Sequence, residues 1–328
     1  MNKQRYALKV PKAEKITEEY MVDEAFLIGL CRLEDLKTHE QELVRSMLNE
    51  VSIKTGGISW LEPLNQLFDY VKNKIVDGET GRDRHLPSAL EGIMLLSKDV
   101  PPYIRRYSPQ WVKDTDFSHT TASLIYTSDI CKRLHLEDEL KKIVMSSMIV
   151  HDCAYPKVGG YEEFTSEWCR KEHMESAVKE FQRWAAEINR NFKIKRGKEY
   201  YTDRDIEQIS KIVGQHDNPS LKLDFDYDGL DERLIFIHRE ADRLWMLNKA
   251  GFALDLLREI VEKSRYNPKA RLQHVIKDHQ EESEKYKKFS DKCEKYNNQP
   301  TIYRTWVGFN SFTELIEKIK RDYEIYLE

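Results

Sequence analysis

Residues 137–153 read EDELKKIVMSSMIVHDC. Leu140, Val144 and Met148 recur every four residues and predict a helix that is strongly apolar on one side and stops before Pro156. His151 continues that apolar stripe, and Asp152 falls about 100° further round by ideal helix geometry, on the line of Met145, Met148 and Ile149. Neighbouring residues on a helix do not point the same way, yet both can lean toward an ion above the groove between them. A bare carboxylate in such a setting loses its hydration with nothing in return. Taken alone, the pair reads as a core histidine beside a partly exposed acid.

The pair is not alone. Upstream, Ser118 is placed as the cap of a helix running to about Leu134, with His119, Ala122 and Tyr126 on one face. Downstream, Glu172 to Ile188 predicts a helix with Met174, Ala177, Val178, Phe181 and Ala185 on one side and His173 at its start. Residues 189–201 are basic and read as a loop. Thr202 is an expected N-cap, followed by Asp203 and Asp205 in a first turn that suits the helix dipole. The face Ile206, Ile209, Val213 leads to His216. After an acidic turn at 224–231, a helix over 232–249 carries Asp242 on a stripe with Ile235, His238 and Trp245; by itself Asp242 could be a structural partner of Arg239 or Arg243. A further helix follows Gly251, through Phe252 to Lys263. One contiguous segment thus sets an imidazole or carboxylate at the apolar face of nearly every helix, and a metal ion or a pair of them would satisfy all of these groups at once.

Outside that segment the pattern is helical from Glu18 to Val76, with a break near 54–57, and the stripe Trp60, Leu61, Leu64, Leu67, Phe68, Val71 reads as core. Breaks at 77–81 and at Pro101-Pro102 flank a short helix over 88–97. Residues 277–296 are rich in Lys, Glu and Asp and read as a solvated helix or a mobile extension, while Phe312, Leu315, Ile316, Ile319 and Tyr323 restore helical periodicity in the last stretch. Only 13 glycines and 10 prolines punctuate 328 residues, and no repeat or β-α-β alternation is present, so the fold class expected is all-α. The expected organisation is a helical N-terminal region (1–105), a metal-binding domain (106–262) and a charged helical C-terminal extension (263–328). Five scattered cysteines without CxxC spacing read as reduced thiols, and the first residues lack the apolar core of a signal peptide. No apolar run has the length of a membrane span. The net charge of -4 gives no strong nucleic-acid signal, and the expectation is a cytoplasmic protein for which an oligomer is possible.

The ordered series His119, His151-Asp152, Asp242 resembles the signature of the HD-domain superfamily of metal-dependent phosphohydrolases. Asp116-Phe-Ser-His119 is similar to the HDxxH entry of that family's first helix, with Thr115 at the position of its first histidine. The segment 214–220, GQHDNPS, resembles the "HS" segment of the small bacterial HD hydrolases that act on nucleotides, and 241–251, ADRLWMLNKAG, resembles their ADxLxxLGxxG closing motif. The resemblance covers about residues 106–262. It departs at Ala122, where the family often has an arginine, so a phosphate or helix contact of that arginine has to be supplied elsewhere or is missing.

The resemblance implies an HD-domain helical bundle in which His119, His151, Asp152 and Asp242 bind one divalent metal ion. His173 and His216 match positions that hold a second metal, bridged by Asp152, in dinuclear members and line the substrate pocket in mononuclear ones. Nitrogen and oxygen donors without thiolate suit Mn, Mg, Fe, Co, Ni or Zn. The implied function is phosphohydrolysis of a small phosphorylated substrate, a nucleotide or another phosphate ester, by metal-activated water. Asp152 is the expected catalytic metal ligand, Asp217 a candidate proton carrier, Lys157 a candidate catalytic cation, and Lys171, Arg239 and Arg243 candidate phosphate-binding residues; in a chain this rich in Lys and Arg, each of these cations more often reads as a solvated surface charge. Two other readings stay open: an HD-type di-iron oxygenase using all six ligands, and a non-catalytic nucleotide-binding sensor that keeps the metal site. His39, His85, His135, His274 and His279 sit among charges and read as surface residues, and His238 as either support for the ligands or core.

Overall fold

A computed structural model describes residues 39–52, 63–76, 109–156, 166–218, 232–263, 267–290 and 303–328. The described chain is all-α: α1 (residues 39–52), α2 (Pro63–Val76), α3 (Pro109–Arg133), α4 (Asp138–Val150), α5 (Glu167–Arg196), α6 (Asp203–Val213), α7 (Glu232–Leu244), α8 (Lys249–Lys263), α9 (Pro268–Ser290) and α10 (Trp306–Asp322), with no strand among these residues. Trp60, Leu61, the short helix at 88–97, Lys157, the acidic turn at 224–231 and residues 291–296 lie outside the described residues.

Helix α4 is the hub. It packs against α2, α3, α5, α6 and α7, and every residue from Lys142 to Val150 is buried. The sequence predicts burial on one side only; enclosure on all sides follows because Ile, Val and Met occupy six of the nine positions from 142 to 150 and each of the three polar exceptions has a partner. Ser146 shares a hydrogen bond with the Tyr201 hydroxyl (3.0 Å), Ser147 donates to the Val144 carbonyl (2.8 Å), and Lys142 reaches Asp205 at 2.8 Å. That last contact fastens α4 to the start of α6. There Thr202 and Asp205 form a reciprocal capping box, as the N-cap reading anticipates.

Three boundaries differ from expectation. Helix α3 begins at Pro109, so Ser118 lies inside it rather than at its cap. Helix α5 starts at the Ser166 cap and runs through the basic stretch to Arg196, because Phe192 extends the buried line Phe181, Ala185, Ile188. It stops at Gly197, whose φ of 74° is the left-handed conformation that ends helices. The helix expected over 232–249 divides: α7 ends at Leu244, a 3-10 turn covers Trp245–Leu247, and Asn248 accepts from the Gly251 N–H (2.7 Å) to open α8. Gly251 is required there, since a Cβ would stand 1.9 Å from the Trp245 carbonyl oxygen.

The flanks join the same core. Leu64, Leu67, Phe68 and Val71 of α2 are fully buried, Phe68 meets Phe117 of α3 at 5.0 Å, and Lys74 pairs with Glu180 of α5 at 3.0 Å. Helix α10 packs on α7 and α9, and the Tyr323 hydroxyl donates to the Lys249 carbonyl (2.7 Å). None of the described helices is long and apolar enough to cross a membrane.

Candidate metal centre

The hub helix ends at Val150 with His151 as its C-cap, so Asp152 occupies the turn beyond the helix. That turn aims its two carboxylate oxygens in different directions. Oδ2 lies 3.6 Å from His151 Nε2 and 3.9 Å from His119 Nδ1. Oδ1 lies 3.6 Å from His216 Nε2 and 3.8 Å from His173 Nε2. Helices α3, α4, α5 and the end of α6 each contribute one histidine, and all four are buried.

On the Oδ2 side, His119 Nε2 is 2.9 Å from Asp242 Oδ1, His151 Nε2 is 3.3 Å from the same oxygen, and the two ring nitrogens are 3.2 Å apart. On the Oδ1 side, His173 Nε2 and His216 Nε2 are 3.4 Å apart. Donors about 2.1 Å from a common ion stand about 3.0 Å apart at right angles and about 3.4 Å apart at tetrahedral angles. The nitrogen–nitrogen separations and those to Asp242 fall in or next to that range while the Asp152 oxygens stand further off, and two three-residue groups, His119, His151, Asp152 and Asp152, His173, His216, could each hold a metal ion. The structure thus brings together all six residues of the sequence series.

The hydrogen bonds orient these rings for ligation. His151 Nδ1 lies 2.8 Å from the Met148 carbonyl and His216 Nδ1 lies 2.8 Å from the Val213 carbonyl. A carbonyl only accepts, so Nδ1 is assigned the hydrogen and each Nε2 presents a lone pair to the interior when the ring is neutral. Two such lone pairs beside partly buried carboxylates favour a positive charge at the site. Burial opposes a charge on His151, but Asp152 and Asp242 overcome it and push the imidazole up to about 9. Burial works against the charge of Asp242 too, yet its bonds to His119 and His151 hold it well below the usual carboxylate range. His173 goes the other way, down to about 3, because burial and then His216 disfavour its protonation.

His238 lies against the cluster but is in neither group that could hold a metal ion. The single proton of Ser147 goes to the Val144 carbonyl, so its oxygen accepts from His238 Nδ1 (2.9 Å). The neutral ring packs against His151 and His216 with centroids 5.3 and 5.4 Å away, and burial keeps its pKa well below the ordinary value. Two aromatic rings that sequence reading did not assign to the site also brace it. Trp245 stacks on His119 at 4.7 Å and Tyr155 on His173 at 4.4 Å. Trp245 lies three residues beyond Asp242 on one stripe, which was the available signal; Tyr155 follows the helix end and had none.

The carboxylates mark the open side. The side chains of Asp152 and Asp242 keep 11% and 14% of their exposure, whereas the His151 and His173 side chains keep 1% and none. Beside Asp242 in sequence, Arg243 lies 3.5 Å from Asp217, which is also 3.4 Å from Arg170. Arg239 is half-buried nearby, and burial, then Arg243 and Arg304, lower it to about 10. Lys171 does not join them. It points about 200° away from His173 around α5, is exposed, and lies 3.7 Å from Glu175. Arg170, three residues before His173, is on the nearer side and was missed because the helix start was placed too late. Lys157 falls outside the described residues.

Compared with protein-family models, curated proteins and solved structures, the chain matches none of them. Its function then rests on the chemistry these side chains can perform.

Proposed function

We propose that this chain is a metal-dependent phosphohydrolase acting on a nucleotide or another small phosphate ester. The observation that carries the reading is the split carboxylate of Asp152, with one oxygen toward each pair of histidines. His119, His151, Asp152 and Asp242 fit one divalent ion, and Asp152, His173 and His216 fit a second. When bound, such an ion supplies hydroxide near neutral pH and charge neutralisation for phosphoryl oxygens. Around it, Arg243, Arg239 and Arg170 are suited to grip phosphate, replacing the arginine that the family resemblance leads one to expect at Ala122. Asp217 fits the task of holding Arg170 and Arg243 better than that of carrying a proton, since its two oxygens each face one guanidinium. The buried rings of Trp245 and His238 and the partly buried ring of Tyr155 pack against the histidines and hold them in place.

The test is a chelator-stripped preparation refilled with Mn and assayed on nucleoside phosphates, cyclic nucleotides and generic phosphodiesters. Activity should return with the metal and be absent in Asp152→Ala. Full turnover by verified metal-free protein would sink the reading. The six-residue, two-group geometry also supports a second reading, a di-iron oxygenase. Two irons per chain with substrate-dependent oxygen uptake would favour it.

A further inference from the structure

Each of the four buried histidines needs something to fix its ring before it can present a nitrogen to an ion, and a hydrogen bond from the other ring nitrogen is the usual device. His151 and His216 have a carbonyl at Nδ1, from Met148 and Val213, each 2.8 Å away. His119 has Asp242 Oδ1 at Nε2, 2.9 Å away. His173 differs. Its Nδ1 is buried and makes no hydrogen bond, the Cys169 carbonyl one turn back being near the ring but outside hydrogen-bonding geometry. What lies flat against His173 is Tyr155, with ring centroids 4.4 Å apart and planes 8° from parallel.

The chain anchors Tyr155 at that place. The Cys153 N–H donates to the Val150 carbonyl (3.1 Å), and the Cys153 and Ala154 side chains are buried in the core, so the turn after α4 is fixed. Pro156 disfavours a helical backbone at Tyr155, and residues 154–156 are neither helix nor turn. From there the Tyr155 hydroxyl donates to Asp152 Oδ1, a long contact of 3.4 Å. That oxygen is the one directed at His216 and His173, 3.6 and 3.8 Å away. One side chain thus touches two of the three residues in the group Asp152, His173, His216. The other group is braced by different means: Trp245 stacks on His119 at 4.7 Å, and Asp242 Oδ1 stands 2.9 Å from His119 and 3.3 Å from His151.

We propose that Tyr155 is the positioning residue for a second divalent ion, held by Asp152, His173 and His216. Its ring sets the plane of His173 in place of the hydrogen bond that this histidine lacks, and its hydroxyl steadies the Asp152 oxygen that faces the same pair of histidines. An ion held by His119, His151, Asp152 and Asp242 does not depend on Tyr155, because Asp152 faces that group through Oδ2. The inference rests on the metal-binding part of the reading above and is independent of the reaction catalysed.

The experiment titrates chelator-stripped, full-length protein with Co(II) by calorimetry, records the visible absorption of the bound ion at each addition, and measures the Tm of the metal-free protein in parallel. The wild type should take two equivalents. Tyr155→Ala should weaken the second by about tenfold to a hundredfold, leaving the affinity and spectrum of the first, and the Tm, unchanged. Tyr155→Phe keeps the stacked ring and should recover part of the loss. Should Tyr155→Ala fail to fold, Tyr155→Phe carries the comparison, with a smaller but selective weakening of the second equivalent expected from the missing hydroxyl. Wild-type affinity for the second ion in these variants overturns the proposal, and so does an equal loss of both ions. A wild type that binds a single equivalent also overturns it, while leaving a one-metal hydrolase standing. Tyr155-dependent binding of the second ion in a protein without phosphatase turnover upholds the proposal and removes the hydrolase reading. No ion bound by the wild type removes both.

Discussion

Asp152 and His151 are neighbours in sequence with different backbone roles. His151 completes helix α4 and Asp152 begins the turn after it, which is how one carboxylate faces two histidine pairs. The sequence made the presence of both groups legible, because a histidine and acids on apolar stripes need a partner. It did not give the phase of Asp152, since extrapolating an ideal helix ignores where the helix stops. Titration offers a test at this scale. In the metal-free protein His151 is raised from 6.5 to about 9. The folded chain then keeps a proton that the unfolded chain releases, so the stability it confers is complete below about 6.5 and lost as the pH climbs through about 9. Thermal melts of chelator-treated protein should show Tm falling between these limits, and refilling with metal should abolish the decline by displacing the proton. A Tm that is flat or rises over that window in the stripped protein contradicts the assignment.

At the scale of the element, helices were legible wherever apolar spacing was regular, and their ends were legible only where a local signal marked them. Thr202 announced α6 through its capping chemistry. The basic residues 189–196 look like a loop by composition, yet Phe192 commits them to α5. Placing the start of α5 too late in turn favoured Lys171 over Arg170. The junction between α7 and α8 was the least readable, because it depends on a tertiary approach of Gly251 to the Trp245 carbonyl. Gly251→Ala must push that turn aside, and Trp245 stacks on His119. We expect a loss of about 1–3 kcal/mol in urea unfolding together with weaker metal binding. Unchanged stability and metal affinity would show that the turn adjusts without disturbing the ligands.

For the whole molecule, composition and sparse glycine and proline pointed correctly to an all-α chain. What they could not show is that α2 and α10 enter the same hydrophobic core as the helices bearing the His/Asp cluster, since such packing is a property of distant pairs such as Phe68 and Phe117. Phe68→Ala should therefore cost about 3–5 kcal/mol and lower the unfolding midpoint of the entire protein in one transition. A separate early transition that leaves the metal centre intact would instead mark the N-terminal helices as an independent unit. The central claim is that six side chains from five helices and their ends form a centre for metal ions. Elemental analysis of purified wild type beside Asp152→Ala tests it most directly. One or two equivalents of a divalent transition metal in the wild type, lost in the variant, is the predicted result; a wild type that binds no such ion after reconstitution, or a variant that binds as much, contradicts it.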